Sequence, residues 1–314
     1  MDNINTTFSA DIQQTIKTYY DKKMLMMAKP NLVFYEYAQK VVVPQNSGKV
    51  VQFRKWTPFK AQTTELFEGE IPNAQTLKMT SVEAIMNTYG GYVAVSDMLD
   101  LTAIDPVIND SVELMGDQGG LSIDTLIAQT ITVGSTAQYA KGKTARNQID
   151  STCVLTVDDV RKAVRTLKNN NAPQFVRDGK GFYVAVVGPN TTYDLQEDKV
   201  WQDVSKYSNS EQIFSGEIGK LFGVVFVEST NSTIFKSAGS GGADVAATMI
   251  FGKNAYGAIE LEGGNLHSII KPKGSAGSAD PLDQISTVGW KVVGFATKVL
   301  QPLWIVRLEH GISG

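Results

Sequence analysis

Apolar and polar positions begin to alternate at Lys49. From there to Trp56, Val51 and Phe53 stand opposite Gln52 and Arg54, and further on Val82, Ala84 and Met86 alternate with Glu83 and Asn87. A period of two marks half-buried strands. Pro44, Gly48, Pro58, Gly69 and Pro72 exclude long helices from the same region. The two flanks therefore predict a long two-stranded excursion. It carries Arg54, Lys55, Lys60, Glu65, Glu68, Glu70 and Lys78 but too few apolar residues for a core of its own. An isolated hairpin is marginal in water, so something outside the segment must hold it.

The period changes after Asp105-Pro106. Ile108, Val112, Met115, Ile123, Leu126, Ile127 and Ile131 recur every three or four positions and predict a long amphipathic helix. Gly116, Gly119 and Gly120 interrupt it, each costing about 1 kcal/mol relative to alanine, so they mark a bend or a tight backbone contact. "TVDDVRKAVRTLKNNNAP" predicts a second helix, with Thr156 as N-cap, Asp158 and Asp159 in the first turn, and Val157, Val160, Val164 and Leu167 on one face. A strand "GFYVAVVGPN", a helix at "TTYDLQED" and a buried strand at Val224 to Val227 follow. The segments "SAGSGGAD" and "KGSAGSADP" read as loops. Strands are predicted in "ATMIFGKNAYGAIEL", "LHSIIKP", "TVGWKVVGFATKV" and "LWIVRLE". The fold class is α+β.

Composition narrows the function. The 314 residues are 42% hydrophobic and 19% charged, with a formal net charge of −3 and a pI near 5.5. That argues against a dedicated nucleic-acid binder, which would be basic. The single cysteine, Cys153, reads as a buried inert thiol. No apolar run reaches the roughly 18 residues of a membrane span, and the start lacks the pattern of a signal peptide. The expectation is a protein made and folded in a cytoplasm.

Convergent chemistry is hard to find. His267 and His310 stand alone without metal-ligand spacing, and both read as structural. The Gly-Lys pairs lack the earlier glycine of a P-loop, no GxSxG elbow occurs, and "AGSGGAD" falls short of a dinucleotide fingerprint. Glu65, Glu68 and Glu70 could supply a glycosidase acid pair, but read better as a solvated or intermolecularly paired loop tip. Arg161, Lys162, Arg165 and Lys168 form a basic helix face that could touch the phosphates of DNA but reads better as solvated. In "YGGYVAVSDMLD", Ser96 or Asp97 caps the helix that follows, while Gly90 and Gly91 relieve crowding where the returning strand bends. No catalytic, metal or cofactor-binding residue is predicted.

Taken in order, "FEGEIPNAQTL", "YGGYVAVSD", "GEIGKLFGVVFVEST", "FGKNAYGAIEL" and "DPLDQISTVGWKVVGFATKVL" resemble the major capsid proteins of tailed bacteriophages with the Hong Kong 97-type fold. More narrowly they resemble the coat-protein family of the short-tailed coliphage N-four. The resemblance implies an N-terminal arm (1–43), an extended loop (44–95) lying over a neighbouring subunit, and a peripheral domain (96–150) with a spine helix. An axial domain (151–255) and further peripheral strands (256–314) would follow. It implies self-assembly of pentamers and hexamers into an icosahedral head, a scaffolding protein and a portal as partners, and weak non-specific contact with packaged double-stranded DNA. Inter-subunit contacts would fall to the loop charges Arg54, Lys55, Lys60, Glu65, Glu68, Glu70 and Lys78. Gly90, Gly91, Ser96 and Asp97 would form the joint anchoring the loop. Membrane contact and covalent cross-linking are not expected. The alternatives are an encapsulin-type nanocompartment shell and, more distantly, a carbohydrate-active hydrolase acting through the loop acids.

Overall fold

A computed structural model of the chain describes residues 24, 26–28, 32–56, 59, 61–65, 69, 71, 74–103, 107–177, 179–199, 201–202, 217–275, 277 and 280–313, with the side chains of 55, 56 and 217 set aside. Most of the arm, together with Lys60, Glu68 and Glu70, lies outside them.

Two sheets and a long helix share one core. The first sheet contains β1 (Gln39–Val43), β4 (Asn87–Ser96), β12 (Tyr256–Leu261), β13 (His267–Lys271) and β14 (Ile285–Val299). β14 pairs antiparallel with β4, β12 and β13, while β1 runs parallel to β12. The second sheet has the order β5 (Thr136–Tyr139), β15 (Ile305–Gly311), β11 (Val245–Phe251), β7 (Lys180–Val187), β9 (Val224–Glu228) and β8 (Glu217–Leu221). The short β6 (Phe175–Arg177) and β10 (Thr233–Phe235) pair with β7 and β11. β2 (Val50–Trp56) and β3 (Met79–Ile85) pair only with each other among the described residues.

The second sheet is buried on both faces, which is why "FYVAVV" reads as an unbroken apolar run. Phe182, Val184 and Val186 join the core shared with the spine helix Val107–Gly134 and with Val288, Trp290 and Val292 of β14. Tyr183, Ala185 and Val187 face the amphipathic helix Val157–Asn169. Thr156 caps that helix, accepting from the Asp159 amide. The final strand departs from expectation: β15, placed on sequence with the C-terminal peripheral strands, lies in the second sheet between β5 and β11. Val306 and Leu308 pack beneath the helix Val157–Asn169. β15 thus closes the sheet begun at residue 136, and its alternation carries no record of which sheet it joins.

The spine helix is continuous through its glycines, so tight contact is the correct reading and a break is not. A Cβ at Gly116 would lie 2.6 Å from the Met24 carbonyl oxygen, and one at Gly120 would lie 2.5 Å from that of Ala28. Gly119 faces Leu266 and Trp290. The arm crosses this glycine stripe with Met24 and Ala28 buried.

One buried charge holds the next part of the arm. Asp124, on the spine helix with no exposed surface, accepts from the Phe34 amide (2.7 Å) and the Tyr35 amide (3.2 Å). It thereby satisfies the free N–H groups of the short helix Val33–Glu36, whose N-cap residue Leu32 makes no side-chain cap. The Asn231 amide donates to its other oxygen at 3.3 Å, and the Tyr256 hydroxyl donates to the Phe34 carbonyl at 2.7 Å. Burial pushes the Asp124 carboxyl up to about 6 despite the hydrogen bonds that lower it.

The native state therefore binds a proton between about pH 4 and 6 that the unfolded chain has lost. Stability is greatest below that window and falls as pH rises through it, by up to ~3 kcal/mol. Asp124→Asn keeps an acceptor for the two amides, and a flip of the Asn231 amide restores the remaining bond. Denaturant melts of the unassembled subunit should show the variant more stable than wild type at pH 7.5 and flat between pH 4 and 6. An unchanged pH slope would refute the assignment.

Candidate functional site

Among its described residues the β2–β3 hairpin packs on the subunit at its base. Its register, Val51 opposite Ala84 and Phe53 opposite Val82, puts these four side chains on one face. Val51, Phe53 and Ala84 pack with Met86 against Val43, Ile259 and Ala296 of the first sheet. Phe53 lies directly over Gly257, where a Cβ would sit 3.0 Å from Cζ. Among the described residues nothing covers the opposite face: Val50 and Ile85, paired across the strands, are half exposed or more. Beyond them Phe59, Leu77 and Met79 are exposed, and Ile71 is 96% exposed. Each fully buried aliphatic residue is worth about 1.5–3 kcal/mol, so leaving these apolar residues bare forgoes stability that a partner could restore.

The loop charges are exposed where the structure describes them. Arg54 stands on the open face of β2 and pairs in register with Ser81, while Glu65 and Lys78 lie in the connection. Lys55 continues the β2 ladder opposite Thr80. The hairpin is shorter than the extended segment read from sequence. The chain leaves it at buried Met86, whose amide donates to the Lys49 carbonyl at 3.0 Å, and residues 87–96 join the first sheet as β4.

The glycines of β4 act differently from the bend expected of them. The irregularity falls on the partner strand, where the register slips between Val292 and Phe295 and Gly294 adopts φ 73°. Gly90 and Gly91 instead admit neighbours. A Cβ on Gly90 would lie 2.8 Å from the Trp290 carbonyl oxygen, and one on Gly91 2.8 Å from Gln118 Oε1. Gln118 Oε1 accepts from Trp290 Nε1 at 2.9 Å, tying spine helix to sheet directly over Gly91.

At the end of β4, Ser96 is the N-cap, its hydroxyl accepting from the Leu99 amide at 3.3 Å. The amide of Asp97, the first helical residue, continues the ladder to the Gln284 carbonyl at 2.8 Å. The helix Asp97–Thr102 buries none of its residues, leaving Met98, Leu99 and Leu101 exposed. Beside it, a groove of about 560 Å³ runs across the outer face of β4, β14 and β13, bounded by Tyr92, Ile269 and Ile285.

Sequence reasoning missed a buried ion network. Glu309, fully buried on β15, receives Arg146 through two bonds of 2.7 Å and Arg307 Nε at 2.8 Å. Arg307 also donates to the Thr132 carbonyl near the end of the spine helix, and the Arg146 guanidinium lies 3.5 Å from the Phe235 ring centroid. With both partners in place the charge is satisfied; a lone buried carboxylate would cost several kcal/mol.

The histidines and the cysteine have structural surroundings. Buried His310 contacts the Thr248 hydroxyl and the Gly311 carbonyl, burial lowers its pKa, and Cys153 is buried. Among the described residues no three His, Cys, Asp or Glu side chains group as metal ligands, and no helix is long and apolar enough to cross a membrane.

A subunit with a firm double-sheet core that holds out an apolar, charged hairpin is built to meet copies or partners. Solved structures with the same fold include the capsid of Ralstonia phage GP4 (15% identity, 89% of this chain and 91% of the other, TM-score 0.70). The capsid asymmetric unit of cyanophage Pam1 is also similar (14% identity, 87% and 89%, TM-score 0.66). A weaker likeness is to the holo-SrpI encapsulin complex from Synechococcus elongatus PCC 7942 (7% identity, 88% and 86%, TM-score 0.56). No curated protein sequence matches the chain. The fold is that of Hong Kong 97-type capsid subunits. The chain belongs to the phage capsid protein family, whose model matches residues 80–308. It is a major capsid protein, a structural component of the virion shell.

Gly91→Val should sever the Trp290–Gln118 bridge and force β4 from the spine helix. A loss of at least about 2 kcal/mol is expected in denaturant melts, whereas Ser81→Ala, at an exposed position of β3, should cost about 0.5 kcal/mol or less. Equal stabilities would show that the close approach at Gly91 contributes nothing.

Proposed function

We propose that copies of this chain join into pentamers and hexamers that close an icosahedral head around double-stranded DNA, with the β2–β3 hairpin of each lying over its neighbour. The observation that carries this is the hairpin itself, packed at its base and bare along its outer face. Lying over a neighbour would cover Val50, Ile85, Met79 and Leu77 and bring Arg54, Lys78 and Glu65 to an interface. Lys55, Lys60, Glu68 and Glu70 belong to the same segment. Gly90, Gly91, Ser96 and Asp97 act as the joint that transmits the hairpin's load into the first sheet and the spine helix.

In this reading the first sheet and the spine helix form the peripheral domain, and the second sheet with its flanking helices forms the axial domain. A separate scaffolding protein and a portal assist assembly in the host cytoplasm, and the chain does no catalysis. The order of motifs favours kinship with the coat-protein family of the short-tailed coliphage N-four. Many modest contacts suffice, because each subunit meets several neighbours and multivalency compounds weak interfaces.

Deleting residues 60–75 tests the central claim. The truncated chain should keep the circular dichroism and melting behaviour of the folded subunit, because none of the described residues of that segment joins a buried cluster. Electron microscopy and sedimentation should then show no closed shells where the full chain forms them. Normal shells from the deletion would refute the role given to the hairpin.

A further inference from the structure

Cations from three separate chain segments meet at one end of the second sheet. The helix Val157–Asn169 contributes Arg161, Arg165 and Lys168 on its exposed side, β8 contributes Lys220, and the last residue of β6 and the first of β7 contribute Arg177 and Lys180, all exposed. Two separate rings carry three of them. The Arg161 guanidinium lies 5.3 Å from the Phe222 ring centroid, while Arg177 and Lys220 lie 5.5 and 5.7 Å from that of Phe182. The acid described on this helix face, Asp158, is engaged by Lys162 at 2.8 Å.

The turn residue makes this more than a charged surface. Phe222 and Gly223 connect β8 to β9 with φ of 49° and 78°, the positive pair that a tight hairpin requires. Asparagine or aspartate before the glycine is the favoured choice, and a phenylalanine in the left-handed region costs roughly 1–2 kcal/mol. Its ring is 47% exposed, so burial does not compensate. What the ring does instead is carry Arg161 on its face. A local choice that opposes folding points to use at a surface.

We propose that this end of the second sheet is a binding surface for the phosphate backbone of duplex DNA; the inference rests on the reading that the shell encloses such DNA. On a helix rising about 1.5 Å per residue, Arg161, Arg165 and Lys168 are spaced by ~6 and ~10.5 Å from the first. A duplex carries one phosphate charge per about 1.7 Å of its axis, so a row of cations of this length meets several phosphates at once. Arginine forks engage phosphate oxygens in pairs. The contact is independent of base sequence and, against a net charge of −3, stays local to this surface, which lets packaged duplex be held and released.

Binding is read on the purified full-length subunit by fluorescence polarisation of a short labelled duplex, between about 50 and about 200 mM salt. Wild type should weaken with salt at a logarithmic slope of about −0.9 for each phosphate engaged. Arg161→Gln/Arg165→Gln/Lys220→Gln should reduce the slope by about three and the affinity at least tenfold. Arg54→Gln/Lys78→Gln, in the hairpin, should leave both unchanged. Phe222→Asn, which suits the turn, should stabilise the fold yet weaken duplex binding. A triple variant with wild-type slope and affinity would overturn the proposal. So would polyglutamate that binds wild type more tightly than the duplex does and loses that binding in the triple variant, which would assign the surface to an acidic protein. Shell formation, followed separately by sedimentation, reports on the capsid assignment and should be the same for the triple variant as for wild type.

Discussion

The arm and the spine helix can touch only because Gly116 and Gly120, one turn apart, have no side chains. Any Cβ there would fall within 2.6 Å of a backbone oxygen of the arm, closer than atoms can approach without displacement. Gly119 lets Leu266 and Trp290 close on the helix between those two contacts. In this stretch the helix gives up roughly 1 kcal/mol of propensity at each glycine and receives two partners at backbone distance. The remaining architecture depends on that exchange. Trp290 and Gln118 fix β14 and β4 to the helix, β14 carries β12, and the base of the hairpin rests on β12 and β1.

Asp124 complements this steric anchor with an electrostatic one. The glycines hold the arm where it crosses the helix, and the buried carboxylate holds it again where the short helix Val33–Glu36 begins. Asn231, from the turn after β9, shares the same carboxylate. Arm, spine helix and second sheet therefore meet at one side chain. The Glu309 network makes a comparable tie two turns further along, near the C-terminal end of the helix, joining β15, the loop at Arg146 and the Thr132 carbonyl. Two buried acids thus oppose relative sliding of the sheets, and each needs its partners in place to avoid a bare charge in the interior.

The elements of this fold were legible in the sequence to the degree that they are local. The spacing of Val112, Met115, Ile123 and Ile127 describes the spine helix, and Val51 and Phe53 against Gln52 and Arg54 describe β2, because periodicity is a property of neighbouring residues. The absence of a core in the hairpin could also be read directly, as a shortage of apolar residues among charges. Pairing across the chain could not. Nothing in "LWIVRLE" distinguishes a strand of one sheet from a strand of the other, and Asp124 looks like an ordinary polar position on an amphipathic helix. Its role depends on amides ninety residues away. Gly90 and Gly91 signalled that something comes close, but whether a bend, a carbonyl or a tryptophan could be decided only with β14 beside them.

The surfaces left open are as informative as the cores. A domain that folds alone can bury its large apolar residues, yet Met98, Leu99 and Leu101 share a helix that buries nothing. Ile71, Leu77 and Met79 are exposed along a hairpin too thin to cover them. Hydrophobic surface of this kind is stable in solution only while the core elsewhere outweighs it, and here the two buried faces of the second sheet and the spine helix supply that core. The division has a mechanical consequence. Among the described residues the hairpin draws on the core through Val51, Phe53, Ala84 and Met86 at its base, so a load on its outer face reaches the core through those four side chains.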